Sequence, residues 1–91
     1  METSGSFGST RKKRRLRLHL YLIDDDYNTL DNVIYALETV LPECNSLLAE
    51  QMATITHNAG QAELYSGFGN DVYIKYAQLQ KLGLNVDIRT K

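Results

Sequence analysis

Leucine occupies every second position from residue 16 to residue 22, and the positions between are polar or amphipathic. A period of two is typical of a strand with one face in the core and the other toward solvent. We therefore predict a strand that begins near Arg15, with His19 as an exposed residue of its outer face. The predicted inner face comprises Leu16, Leu18, Leu20 and Leu22, and the outer face comprises Arg15, Arg17, His19 and Tyr21.

Apolar residues next recur at three- and four-residue intervals, which predicts a helix. Asn28 or Thr29 can cap its first amide groups, and Asp31 suits the positive end of its dipole. The helix should end before Pro42, because proline cannot donate the next hydrogen bond. Its predicted apolar face comprises Leu30, Val33, Ile34, Leu37 and Leu41.

A second helix is predicted after a turn at residues 44–46, with Asn45 or Ser46 as its cap. It should run to about Ala59, and Gly60 should adopt the left-handed conformation that ends many helices. The residues predicted to face inward are Leu48, Met52, Ile55 and Ala59.

The last third of the chain predicts a strand at 61–66, a loop at 67–70, a helix at 71–82 and a strand at 84–89. The resulting order is β-α-α-β-α-β. It predicts an α+β domain, in which three helices cover one face of a three-stranded antiparallel sheet. The predicted buried residues here are Ala62, Leu64 and Ser66 in the strand, Val72, Tyr76, Leu79 and Leu82 in the helix, and Leu84, Val86 and Ile88 in the final strand.

The composition indicates one small domain, with 91 residues of which 43% are hydrophobic. No apolar stretch approaches the roughly 18 residues of a membrane span, and residues 1–10 lack the apolar segment of a secretory signal. We therefore expect a cytoplasmic protein without a membrane partner. Cys44 is the only cysteine, which excludes an internal disulfide and a cysteine-based zinc cluster, and we expect no role for it.

Charge is distributed unevenly along the chain. Residues 1–17 carry six basic side chains and one acidic side chain, a net charge of +5, while residues 18–91 carry four basic and ten acidic side chains, a net charge of −6. We divide the chain into a flexible basic extension at 1–14 and a folded domain at 15–91. Such an extension can bind nucleic acid, an acidic lipid surface or an acidic protein, or serve as a solvated tail. The acidic body argues against a nucleic-acid-binding domain.

Three consecutive carboxylates, Asp24, Asp25 and Asp26, lie between the first strand and the first helix, and His57 follows one helical hairpin later. Carboxylates this close repel one another unless a cation, a helix cap or a partner receives them. A turn of this kind is most often a solvated cap, but beside apolar positions it also suits an ammonium group. A third interpretation is a Mg²⁺ or Mn²⁺ site for phosphoryl hydrolysis. A single short turn, however, directs its carboxylates to different sides, and no nucleophile has an adjacent base, so we predict no enzyme and no cofactor.

The chain reads Leu-Ile-Asp-Asp-Asp-Tyr-Asn-Thr-Leu-Asp-Asn-Val at 22–33 and Glu-Gln-Met-Ala-Thr-Ile-Thr-His-Asn-Ala-Gly at 50–60. These two stretches resemble the ClpS adaptors of bacterial Clp proteases. Residues 22–33 are similar to the family's loop Asn-Asp-Asp-aromatic-Thr-Pro-Met, which precedes a helix and a Val. Residues 50–60 share its Gln, apolar run, His and Gly. The similarity extends from about Leu18 to Ile88. It implies a monomeric adaptor that binds proteins beginning with Leu, Phe, Tyr or Trp (N-degrons) and passes them to the N-terminal domain of a ClpA-type AAA+ unfoldase.

The resemblance also implies roles for particular residues. Asp25 falls at the family's ammonium-binding Asp, Asp24 stands where Asn is usual, and His57 matches its His. We expect Asp26 to order the turn, and Ala53, in place of a larger residue, to enlarge the pocket toward aromatic first residues. Implied residues of the loop and hydrophobic pocket are Asn28, Leu30 (at the family's gating Met), Tyr35, Ala53, Thr56 and Val86; those that dock on the unfoldase are Asn70, Asp71 and Lys75.

Overall fold

Three helices and one three-stranded sheet make up residues 16–90, the part of the chain that this computed structural model describes. The order β-α-α-β-α-β and the α+β class agree with the sequence prediction. The predicted basic extension at 1–14 lies outside the described residues. The elements are β1 (Arg17–Ile23), α1 (Leu30–Val40), α2 (Ser46–Ala59), β2 (Gln61–Phe68), α3 (Asn70–Lys81) and β3 (Val86–Thr90).

β1 is the central strand, and it pairs antiparallel with β2 on one side and β3 on the other. Its leucines at 18, 20 and 22 are buried as predicted, whereas Leu16 precedes the strand and is 67% exposed. The outer face is not open to solvent at every position. Tyr21 is buried, with the Arg89 guanidinium 4.4 Å from its ring centroid. The prediction of an exposed His19 is wrong, because its Nδ1 lies 3.1 Å from Glu63 Oε2 across the sheet and its side chain is 14% exposed.

A bulge in β2 changes which side chains face the helices. Leu20 is paired with Tyr65, but Tyr21 is paired with Glu63, so Leu64 is an extra residue on β2. An extra residue breaks the period of two. Leu64 and Tyr65 therefore both pack against the core, although the sequence pattern predicts Tyr65 on the opposite face. β2 also continues through Phe68, where a loop was predicted.

The predicted helix ends are confirmed at the positions where local chemistry sets them. The Thr29 hydroxyl accepts a hydrogen bond from the backbone N–H of Asn32, and α1 ends just before Pro42. Asn45 caps α2 in the same way through the N–H of Leu48. Gly60 ends α2 with φ +89°, a left-handed conformation that favours glycine over residues with a side chain.

α2 faces the core with a different set of residues from the predicted one. Ala49, Ala53 and Thr56 are buried, while Leu48 and Ile55 are 36% and 45% exposed. The inward face is rotated by about one residue, because side chains this small let α2 lie close to α1 and β2. The hydrophobic pattern instead predicts that the larger neighbours, Leu48 and Ile55, face inward. Ala59 is also exposed, and Met52 is partly buried against the core.

The core fills the space between the sheet and the helices. Leu20, Leu37, Val72 and Leu79 are fully buried there. Cys44 joins this core, and burial, followed by the nearby carboxylates of Glu38 and Glu43, raises the pKa of its thiol. Within residues 16–90 no helix has the length and apolar content needed to cross a membrane.

Replacing a core leucine should test this packing. We expect Leu37→Ala to lower the free energy of unfolding by about 2–5 kcal/mol, because the cavity left behind adds to the lost burial. Urea denaturation measures the change. Leu47→Ala is the control, since Leu47 also lies on a helix but is 63% exposed, and it should change stability by about 0.5 kcal/mol or less. Equal effects of the two substitutions would contradict the assignment of the core.

Candidate functional site

A cavity of about 490 Å³ opens where β1 ends, between the start of α1 and the second half of α2. Its inner wall is apolar except for Thr56, and its exposed rim is mainly polar. The buried lining residues are Leu22, Ala53, Thr56 and Leu84; the partly or fully exposed ones are Ile23, Asp24, Asp25, Asp26, Asn28, Leu30, Val33, Thr54 and His57.

The acidic loop (residues 24–29) is fixed at both ends by hydrogen bonds to distant parts of the chain. At its start, the N–H of Asp24 donates to the carbonyl oxygen of Gly60 at 3.0 Å. Toward its end, Asn28 Nδ2 donates to the carbonyl oxygen of Gly83 at 2.9 Å. These bonds join the loop to the end of α2 and to the turn after α3. Its carboxylates are therefore held beside the last turn of α2, which carries His57.

Asp25 is engaged by the loop itself. Its Oδ1 accepts the backbone N–H groups of Tyr27 at 3.0 Å and Asn28 at 2.9 Å, and its Oδ2 accepts Asn28 Nδ2 at 2.9 Å. Partial burial raises the pKa of Asp25, but the hydrogen bonds from Asn28 and Tyr27 together outweigh it, so the pKa lies below the ordinary value. Asp25 is thus an ionised carboxylate whose two oxygens both have donors.

Asn28 completes this arrangement. Its amide nitrogen has two hydrogens, and these go to Asp25 and to the carbonyl of Gly83. Its amide oxygen accepts a hydrogen bond from Asn32 Nδ2 in the first turn of α1. Asn28 therefore uses both of its amide hydrogens to hold the loop against the turn after α3.

Asp24, Asp26 and His57 remain available to a ligand at the rim. Asp24 Oδ1 lies 3.9 Å from His57 Nδ1, too far for a hydrogen bond, and the two side chains are 40% and 80% exposed. No group within residues 16–90 donates a hydrogen bond to the carboxylate of Asp24 or of Asp26. The rim therefore presents two carboxylates and an imidazole beside an apolar cavity.

The structure brings together most, but not all, of the residues that the sequence nominates for the α-amino group and the pocket. Tyr35 and Val86 do not line the cavity. Tyr35 is 61% exposed and lies five residues beyond Leu30, on another side of α1. Val86 is paired with Leu22 within the core. The nominated residues that line the cavity are Asp24, Asp25, Asn28, Leu30, Ala53, Thr56 and His57.

The cavity also includes residues that sequence reasoning did not place in it. Val33 could have been found, because it lies one turn beyond Leu30 on the same helix face. Leu84 could not have been found in this way. It follows Gly83, whose carbonyl oxygen accepts a hydrogen bond from Asn28, and Asn28 and Gly83 are 55 positions apart in the sequence. The lining residues that were missed are Leu22, Ile23, Asp26, Val33, Thr54 and Leu84.

A second polar group lies at the start of α3, outside the cavity. Lys75 Nζ is 2.8 Å from Asp71 Oδ1 and 4.6 Å from the ring centroid of Tyr65, whose hydroxyl donates to the other Asp71 oxygen. The bond with Asp71 raises the pKa of Lys75, and the bonds from Lys75 and Tyr65 lower the pKa of Asp71. Asn70 begins the helix beside this pair.

The geometry does not support the metal-dependent interpretation of the acidic loop. Among residues 16–90, no three His, Cys, Asp or Glu side chains are close enough to share a metal ion. Asp25, the central carboxylate, already accepts three N–H donors.

Comparison with known proteins identifies a family and a fold. A family model described as ATP-dependent Clp protease adaptor protein ClpS matches residues 13–86. Among solved structures, Agrobacterium tumefaciens ClpS2 bound to L-phenylalaninamide is similar to this chain with a TM-score of 0.80 and 18% sequence identity, over 86% of this chain and 100% of that chain. Comparison with curated protein sequences gives no significant match.

The role of Asp25 in the loop predicts a pH-dependent contribution to stability. We expect Asp25→Ala to lower the free energy of unfolding by about 1–2 kcal/mol at neutral pH, because two backbone N–H groups lose their acceptor. Since the pKa of Asp25 is lower in the folded protein, its contribution is present above the ordinary pKa of 3.8 and is lost as the pH falls through the folded value.

Urea denaturation at a series of pH values would measure this, with Asp26→Ala as the matched control in the same loop. The difference between the original protein and Asp25→Ala should shrink in acid. A difference that grows as the pH falls, or an equal effect of Asp26→Ala at neutral pH, would contradict the proposed role.

Proposed function

The chain belongs to the ClpS family of adaptor proteins of ATP-dependent Clp protease, and from this premise we propose that it binds proteins through a bulky hydrophobic N-terminal residue and delivers them to a ClpA-type unfoldase. The observation that carries the proposal is the apolar cavity whose rim holds Asp24, Asp26 and His57. A free N-terminus combines a cation with a neighbouring side chain. The site offers one region for each.

The cationic part of this ligand is the α-amino group. Its pKa is about 7.7–8.0, so it is mostly an ammonium ion at neutral pH. Carboxylate oxygens of Asp24 and Asp26 can accept its hydrogen bonds, and such charge-assisted bonds are roughly twice as strong as neutral ones. His57 adds a ring nitrogen, which accepts a hydrogen bond when the imidazole is neutral.

The first side chain of the ligand then enters the cavity. Burying a Leu- or Phe-sized side chain contributes about 1.5–3 kcal/mol relative to leaving it in water. Leu30 is 49% exposed at the rim, where it can contact the side chain as it enters. We propose that this contact disfavours β-branched first residues, and that Leu, Phe, Tyr and Trp are accepted. A. tumefaciens ClpS2, which shares the fold, was solved with an amino-acid amide.

The sequence resemblance assigns ammonium binding to Asp25, and the geometry favours a different division of roles. Three N–H groups of the loop already occupy the oxygens of Asp25. We propose that Asp25 mainly orders the loop, while Asp24 and Asp26 make the direct contacts with the ammonium group. Tyr35 and Val86 are not part of the proposed site, because neither lines the cavity.

Delivery would use the start of α3, where Asn70, Asp71 and Lys75 form a polar surface. This surface and the cavity lie near opposite ends of β2. The strand begins beside Gly60 and the acidic loop, and it ends one residue before α3 begins. Eight residues of strand span about 25 Å. We therefore propose that the substrate and the unfoldase's N-terminal domain bind at the same time.

The amine requirement is the central test of substrate binding. We expect a peptide beginning with Phe or Leu to bind when its amine is free and to lose binding when the amine is acetylated, because acetylation removes the positive charge. Asp24→Ala, Asp26→Ala and His57→Ala should each weaken binding by about 1–3 kcal/mol, as loss of a charged hydrogen-bond partner typically does. Isothermal titration calorimetry would measure these affinities.

The matched control is Asp31→Ala, which removes the same charge from an exposed position in the first turn of α1 that does not line the cavity. If the acetylated peptide bound as well as the free one, the proposed function would be wrong. If Asp31→Ala weakened binding as much as Asp24→Ala, a general charge effect would replace the proposed contact.

The docking role of α3 can be tested separately. Lys75→Glu should abolish binding to the N-terminal domain of the unfoldase, because it reverses the charge beside Asp71, while free-amine peptides still bind. A pull-down with that domain, accompanied by a peptide titration, measures both. Lys81→Glu is the control, because it makes the same change of charge at the other end of α3, and this variant should still dock. If both variants lost docking, or if neither did, the proposed docking surface would be wrong.

A further inference from the structure

The inner wall of the cavity contains one buried polar side chain, Thr56. It is 4% exposed, and among residues 16–90 no other buried residue apart from Tyr21 and Cys44 has a polar group in its side chain. Its hydroxyl donates to the carbonyl oxygen of Met52, one turn earlier in α2, at 2.8 Å. A threonine hydroxyl has one hydrogen and two acceptor positions. Because the hydrogen is already used, Thr56 can offer an additional partner only an acceptor.

Nothing in the described part of the chain uses that acceptor. No donor within residues 16–90 forms a hydrogen bond to Thr56 Oγ1, and the other buried lining residues are Leu22, Ala53 and Leu84. A side chain that fills the cavity therefore packs against Thr56, whose oxygen is the one polar side-chain atom among these buried lining residues. Covering such an oxygen without a hydrogen bond is unfavourable, while supplying a donor restores the balance.

The position of Thr56 along α2 relates it to the proposed ammonium site. It directly precedes His57, and Ala53 lies one turn before both. Residues three and four positions apart lie on the same side of a helix, so the wall runs from the rim at His57 inward along Ala53 and Thr56. A first residue whose amino group is held at the rim would extend its side chain along this wall. Ala53 leaves more space there than a larger residue would.

We propose, resting on the function proposed above, that Thr56 selects first residues whose aromatic ring carries a hydrogen-bond donor, namely Tyr and Trp, over Phe and Leu. The tyrosine hydroxyl or the indole N–H donates to Thr56 Oγ1. A buried indole N–H is a donor with no acceptor capacity of its own, so an acceptor in the cavity is the partner it requires. The cavity volume is within the range of roughly 300–1,000 Å³ that is usual for small-ligand sites.

Pairs of peptides that differ by a single donor test this selection. The first pair begins with Tyr or Phe, and the second with Trp or 1-methyltryptophan; all have free amines and the same following sequence. We expect the donor-bearing member of each pair to bind about 2–10 times more tightly, the range for one neutral hydrogen bond. Equal binding within both pairs, or tighter binding of the member without a donor, would overturn the proposal. This test uses the original protein, so its result does not depend on the folding of a variant.

Substitution of Thr56 then identifies the acceptor. Thr56→Val removes the hydroxyl at nearly constant volume and should bring both affinity ratios to about one, whereas Thr56→Ser keeps the hydroxyl and should preserve them. Thr39→Val is the matched control. Thr39 makes the same bond to a carbonyl one turn earlier, that of Tyr35 at 2.7 Å, but it is exposed and does not line the cavity. Ratios that persist in Thr56→Val would overturn the proposal.

The two proposals fail in distinguishable ways. If acetylation of the amine leaves binding unchanged, the N-terminal binding function is wrong, and the selection that rests on it is wrong too. If binding requires the free amine but each pair binds equally, only the role of Thr56 is wrong. Amine-dependent binding with a donor preference that disappears in Thr56→Val would support both.

Discussion

The hydrogen bonds that Asp25 accepts from Tyr27 and Asn28 determine the form of the site. Three adjacent carboxylates would otherwise repel one another and leave the loop without a single conformation. By taking three N–H donors, Asp25 becomes part of the framework, and its neighbours on either side are directed to the rim. Asn28 carries this order to the turn after α3 through the carbonyl of Gly83. The carboxylates are thus positioned before any ligand arrives, which reduces the ordering cost of binding.

The cavity itself depends on the small residues of α2. Ala49, Ala53 and Thr56 form the inward face, so the helix lies close to its neighbours without filling the space beside β1. Ala53 and Thr56 line the cavity, and larger residues at these two positions would occupy the volume that the proposed ligand needs. Leu48 and Ile55, which hydrophobicity alone would place inside, are partly exposed instead. The same arrangement that makes the helix face difficult to predict therefore creates the cavity.

The sequence predicts well those features that depend on residues close together along the chain. Thr29, Asn45 and Gly60 end their helices as expected, because a cap or a left-handed glycine acts within one turn. What it predicts poorly depends on contacts between distant residues. The bulge that turns Tyr65 toward the core is set by pairing with β1, and Leu84 reaches the cavity through a turn that Asn28 anchors from 55 residues away. Family resemblance supplied the candidate site, but only packing separates Thr56, which lines it, from Tyr35, which does not.

In the proposed function, the charged rim and the buried wall contribute differently to recognition. Asp24 and Asp26 both lie at the rim, so the proposed site has two carboxylates for one ammonium group. Water and dissolved salt screen the repulsion between these carboxylates, because Asp24 is 40% exposed and Asp26 is exposed as well. Because every free N-terminus carries the same ammonium group, charge at the rim favours all first residues to a similar degree. Under the proposed function, discrimination among first residues therefore arises from Leu30 at the cavity mouth and from the buried wall that contains Leu22, Ala53 and Thr56. There, an unmatched oxygen or a matched hydrogen bond changes the binding free energy most.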